Sequence, residues 1–75
     1  MLSFQLIDAG KSIMVYCDSS GLDQLIDTLT NLRESPDIGH IHMQAPSAGG
    51  KLLNDQNPWG EPAISEVVIS FNQSD

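Results

Sequence analysis

Positive charge is what this chain has least of. Lysine and arginine number three against ten aspartates and glutamates, a formal net charge of -7. Phosphate backbones are repelled by such a surface, so nucleic acid is not an expected ligand. Anionic membrane is unsuited for the same reason, whereas a basic protein is attracted and steered; the plainer reading of the same charge is that it keeps a cytosolic protein soluble. Cysteine occurs once, as Cys17, so no internal disulfide is possible and a reducing cytosol is the expected compartment. Within an apolar run such a thiol acts as a small hydrophobe. No apolar stretch approaches membrane-spanning length, and no basic-then-apolar leader opens the sequence.

What is present fits one small domain across residues 1–75. A single long helical pattern runs from Ser20 to Glu34. Leu22, Leu25, Ile26, Leu29 and Leu32 fall on one arc of its wheel, so this helix is expected to supply one whole side of the core. Ser20 reads as its N-cap, with Asp23 completing a capping-box-like pair. Ser35-Pro36 ends it, because the residue before proline resists helical geometry. Asp23, Asp27 and Glu34 lie opposite the leucine arc, within about 40° of one another at 100° per residue. The i, i+4 pair of aspartates costs a few tenths of a kcal/mol. That cost fits either a solvated face or an acidic stripe with a use.

Four strands are predicted around the helix. Leu2 to Leu6 alternates apolar and polar, with Phe4 and Leu6 facing the helix. Asp8 to Lys11 is a tight turn. Ser12 to Cys17 is apolar on both faces, with Ile13, Val15 and Cys17 on one and Met14 and Tyr16 on the other. Ile38 to Gln44 turns Ile41 and Met43 one way, and Ile38, His40, His42 and Gln44 the other. Ile64 to Phe71 closes the set, with Val67, Ile69 and Phe71 inward and Ile64, Glu66 and Val68 outward. Asn72 to Asp75 is a polar tail. A long irregular loop over residues 45–63 separates the last two strands, anchored by Leu52, Leu53 and Trp59.

The expected fold class is therefore α+β, a two-layer β-β-α-β-β arrangement. One helix packs on a four-stranded, mainly antiparallel sheet. Its far face collects Met14, Tyr16, Ile38, His40, His42, Ile64, Glu66 and Val68, and no second helix is available to cover it. A mixed apolar and polar face left open marks a partner surface or a homodimer seam. The long loop folding over one edge is the alternative.

His40 and His42 share a strand face, a geometry that can hold a metal with Glu66 as a third ligand. Hydrogen-bonded structural histidines are the simpler reading, and no cofactor is expected. Cys17 is predicted on the opposite side from both histidines, which argues against a thiol nucleophile. The segment from Ala45 to Leu52, APSAGGKL, lacks the first glycine and the hydroxyl residue of a phosphate-binding loop. Trp59 in NPWGEP reads as a loop anchor, and an exposed indole there would make it a contact point instead.

A short hairpin is followed by a Ser20-Gly21-Leu22 helix start with leucine-rich continuation. A His40-x-His42 strand, a gapped loop and a closing Val-rich strand complete a pattern that resembles the immunity protein 32 family. The resemblance runs from about Ile13 to Phe71. Met43 stands where that pattern has leucine, and the loop KLLNDQNPWGEP is longer. The family consists of small α+β proteins attributed to bacterial polymorphic-toxin systems.

The resemblance implies a non-catalytic protein that binds and occludes a basic toxin. The binding side chains would be those of the acidic stripe (Asp23, Asp27, Glu34) or of the open face (Met14, Tyr16, His40, His42, Glu66), with Trp59 beside them. Two other readings stay open. One is a small metal- or ligand-binding domain using His40, His42 and Glu66, which a metal titration followed by histidine NMR shifts separates from the first. The other is a homodimeric protein that binds no toxin.

Overall fold

The first strand decides how the elements assemble, because both its edges are occupied. The computed structural model describes residues 1–35, 37 and 39–72. In it β1 (Leu2–Ile7) pairs antiparallel with β2 (Ser12–Cys17), in a register that sets Leu2 against Cys17 and Leu6 against Ile13. The other edge of β1 is taken by the long loop. The Asn54 amide donates to the Leu2 carbonyl at 2.8 Å, and the Ile64 amide to that of Phe4 at 2.7 Å.

A helix, α1 (Ser19–Glu34), follows β2. Then come β3 (His40–Gln44), a 3-10 turn at Pro46–Ala48, and β4 (Glu66–Ser70). The chain is α+β with the expected order of helix and strands. The strands form two two-stranded antiparallel sheets, β1-β2 and β3-β4, where one four-stranded sheet was expected. The physical reason lies at the outer edge of β1, where Asn54 and Ile64 consume the carbonyls that a neighbouring strand would use. Pro36, Ile38 and residues 73–75 fall outside the described residues. The helix nevertheless ends where expected, at Glu34 with Ser35 as its C-cap, while the outward Ile38 and the end of the polar tail lie outside the described residues.

The β1-β2 turn is made by Asp8 and Ala9, both left-handed at φ 54 and 55°, closed by the Gly10 amide on the Ile7 carbonyl at 3.1 Å. Paired left-handed residues give a turn the twist that matches its strands. Gly10, at φ 82°, continues the same hand where only glycine does so freely.

Helix α1 begins earlier than its sequence suggests. Asp18, extended at φ -89° and ψ -175°, is the N-cap, and its carboxylate accepts from the Gly21 amide at 2.8 Å. The same oxygen accepts from the Met1 amino group at 2.6 Å. These two donors outweigh anything Ser20 offers as a cap, and Ser20 becomes the second helical residue. The Met1 amino group first, and the Gly21 amide after it, hold the Asp18 carboxyl below its ordinary range.

The leucine arc is only partly used. Leu32 is buried and Leu25 packs against the core, but Leu22, Ile26 and Leu29 remain 46, 51 and 43 % exposed. Leu6, expected beneath the helix, is also exposed, as are Ile13 and Val15. The core gathers at the other end of the hairpin. Leu2 and Phe4 meet Met43, Ala45 and Leu53, with Cys17, Leu25, Leu52, Ile64, Val67 and Ile69 packed around them. Leu52 and Leu53 thus anchor the loop as expected. Ile64, predicted to face outward, packs inward, because strand alternation begins only at Glu66.

Two close approaches hold this arrangement. A Cβ on Gly21 would lie 1.8 Å from the Met1 carbonyl oxygen, and one on Gly50 would lie 2.4 Å from the Gln44 Cβ. Alanine ordinarily improves a helix by about 1 kcal/mol over glycine. At Gly21 the steric term wins. Gly21→Ala is expected to destabilise the protein by about 1–3 kcal/mol, the usual cost of overpacking. Urea denaturation measures this, and a rise in midpoint would refute the close contact.

Candidate functional site

The outer face of the second hairpin presents three cross-strand pairs, His40 with Ser70, His42 with Val68, and Gln44 with Glu66. Ile41, Met43, Val67 and Ile69 alternate to the other side, so strand periodicity alone puts both imidazoles on the solvent side. The two rings meet edge to face with centroids 5.1 Å apart. His42 Nδ1 lies 3.2 Å from Glu66 Oε2, and the Gln44 amide Nε2 donates to the same oxygen. Gln44 first, then His42, hold the Glu66 carboxyl below its ordinary range. Among the described residues no group of three or more His, Cys, Asp and Glu side chains is placed to hold a metal ion. What His40, His42, Glu66 and Val68 form together is an exposed face able to donate and accept hydrogen bonds beside an apolar side chain.

The corresponding face of the first hairpin is covered by the chain itself. Residues 56–62 fold into a small loop closed by a bridge between Gln56 and Pro62. The Gly60 amide donates to the Asn57 carbonyl at 2.9 Å. Pro58 and Gly60 occupy the second and fourth places of this turn, where β-turns favour them.

Asn57, 4 % exposed, is set down on β1. Its side-chain Oδ1 accepts from Ser3 Oγ at 2.8 Å, and its Nδ2 donates to Gln5 Oε1. Gln5 Nε2 then donates to Glu61 Oε2 at 2.6 Å, and the Trp59 indole N–H reaches the same carboxylate at 3.3 Å. The Trp59 ring stands edge-on to Tyr16 with centroids 6.0 Å apart. Tyr16 and Met14 are consequently half-buried, and Trp59 is at once a loop anchor and 49 % exposed.

The predicted site residues therefore fall in three places. His40, His42 and Glu66 share the open face of β3-β4. Met14 and Tyr16 lie on the face that the loop covers, with Trp59 at its rim. Asp23, Asp27 and Glu34 are exposed on α1, and no described residue forms an ion pair with them. Sequence reading missed Gln44 as the partner of Glu66, and Ser3, Gln5 and Asn57 as the polar contact beneath the loop. The residues Asn57-Pro58-Trp59-Gly60 carry a turn signature, which marks the turn and not that contact. The exposed flank of α1 was missed as well, since periodicity marks an apolar arc without saying how much of it is covered.

Comparison with known proteins adds no neighbour, since no family model, curated protein or solved structure matches the chain. No helix among the described residues is long and apolar enough to cross a membrane.

Two measurements check this geometry. Asn57→Ala strands the Ser3 hydroxyl and the Gln5 amide, at a cost of about 1–3 kcal/mol for buried groups left without partners. Emission from the single tryptophan should shift to the red as the loop lifts. Unchanged emission and stability would mean the loop does not depend on this residue. At Glu66 the lowered folded-state pKa stabilises the fold above the unfolded carboxyl's pKa. That contribution is lost as pH falls through the folded value. Gln44→Ala and His42→Ala should each move the Glu66 midpoint upward in carbon-detected NMR titration, and an unmoved midpoint in both would refute these contacts.

Proposed function

We propose that this chain is a non-catalytic, cytoplasmic binding module that neutralises a basic protein, in the manner of the immunity proteins it resembles. The supporting observation is electrostatic. Ten acidic residues face three basic ones, and the stripe of Asp23, Asp27 and Glu34 is exposed with no ion pair to a described residue. Unpaired surface carboxylates raise the encounter rate with a cationic partner and favour it over acidic competitors. The open face of His40, His42 and Glu66 supports the same reading, because it offers contacts on the surface. Helix and hairpins act in this proposal as one two-layer unit that presents these faces to a partner, or to a second copy where the protein pairs with itself.

The test begins with extracts of the source cells passed over the immobilised protein at low salt. Retention of a basic protein that salt releases is expected. Expression of the captured protein alone should then arrest growth, and co-expression with this chain should restore it. Capture of no basic partner, or a captured protein whose toxicity this chain leaves unchanged, would overturn the proposal.

A further inference from the structure

Six of the nine large apolar side chains that remain exposed among the described residues fall in two rows, Leu22, Ile26 and Leu29 on α1, and Leu6, Ile13 and Val15 on the first hairpin. Both rows extend from one buried contact. Leu25 packs against the cluster containing Leu2 and Phe4, with Cys17 beside them. Leu22, Ile26 and Leu29 continue the helical arc outward from Leu25. In the β1-β2 register, Val15 lies opposite Phe4 and Ile13 opposite Leu6, on the face that carries Leu2 and Cys17. Both rows thus border the same core contact and stay exposed, which makes an apolar shelf of α1 and the first hairpin. Patches of this kind on small proteins mark interaction sites.

The charges around the shelf select its occupant. Asp23 lies about 60° round the helix from Ile26, so the Ile26 side of the exposed flank meets an acid, and Glu34 and Asp27 follow at about 80° and 100°. Arg33 sits in line with this flank at the helix C-terminus, within about 20° of Ile26 on the wheel. The other two basic residues, Lys11 and Lys51, lie in the β1-β2 turn and the long loop. A second copy would bring a charge of -7 against another -7. A cationic segment would neutralise the acids beside Ile26 while its apolar side fills the shelf.

We infer that this shelf is the docking surface of the module, and that its occupant is an amphipathic segment of another protein with basic residues beside its apolar ones. This rests on the binding role proposed above and names the part of the molecule that performs it. The apolar shelf supplies affinity, and Asp23, Asp27 and Glu34 supply steering and the choice of partner. The face bearing His40 and His42 is a second exposed surface and is not needed for this contact.

The experiment uses the full chain and a fluorescent synthetic amphipathic helix built of leucine and lysine. A counterpart with glutamate in place of lysine serves as control. The lysine peptide should bind and the glutamate peptide should not. Leu22→Ser and Ile26→Ser change exposed positions, so the fold is expected to survive, which circular dichroism verifies. Each should weaken binding by about tenfold or more, the scale of a central interface contact. Val68→Ser, on the other exposed face, should leave binding unchanged. The triple variant Asp23→Asn, Asp27→Asn, Glu34→Gln should flatten the salt dependence.

Equal binding by wild type and shelf variants overturns the inference, as does loss of binding in Val68→Ser alone. A concentration-dependent dimer in light scattering that Ile26→Ser dissolves would assign the shelf to a second copy and overturn it equally. If the partner captured from cells still binds the shelf variants at full strength, the binding role stands and only its location fails. If nothing basic is captured, the binding role itself fails.

Discussion

The buried contact of Ser3 with Asn57 is the constraint on which the arrangement of this molecule depends. Through it a loop that would otherwise be irregular is fixed to the first strand. The loop then covers one face of the first hairpin with Trp59 over Tyr16, and occupies the free edge of β1 with Asn54 and Ile64. Ser3 and Asn57 are both buried, and no buried side-chain polar atom among the described residues lacks a hydrogen-bond partner. Such networks specify one arrangement when every member is satisfied. Here the specified arrangement is the separation of the strands into two sheets.

That separation redistributes open surface. A lone helix on a four-stranded layer would leave one continuous face free. In this fold the loop covers the far side of the first hairpin, while the far side of the second remains open with its histidines. The helix meanwhile covers its own side incompletely. Exposed apolar surface therefore remains on α1 and on the first hairpin, with acidic residues on the same helix. Two kinds of surface lie on separate parts of the molecule, one of imidazole and carboxylate, the other apolar with acids on its Ile26 side.

Much of the local structure was legible in the residues. Alternation in Leu2 to Leu6 and His40 to Met43 and the apolar run of Ser12 to Cys17 marked the strands and their faces, and leucine spacing marked the helix. The helix start was displaced because Asp18 and Ser20 are both good caps, and a long-range donor on Met1 decided between them. Ile64 turned inward because its amide is held by Phe4, outside any strand periodicity. The half-used leucine arc was hidden for a related reason. Amphipathic spacing measures how apolar a face is, whereas coverage depends on where β1 and its loop leave room for the helix. Of the candidate site, the placement of His40, His42 and Glu66 was readable from alternation. The covering of Tyr16 and Met14 was not, because polar contacts between distant segments leave no periodic trace.

Fastening β1 to residues more than fifty positions away also governs the order in which the chain acquires its structure. Ser3 and Asn57 are 54 residues apart, and Gln5 and Glu61 are 56 apart. Distant pairings close large loops before any contact rewards them, which slows folding relative to a helical bundle of the same size. On the ribosome the first hairpin emerges well before its cover, with Met14 and Tyr16 unprotected together. The nascent chain passes through an adhesive stage that ends only when Asn57 has left the exit tunnel.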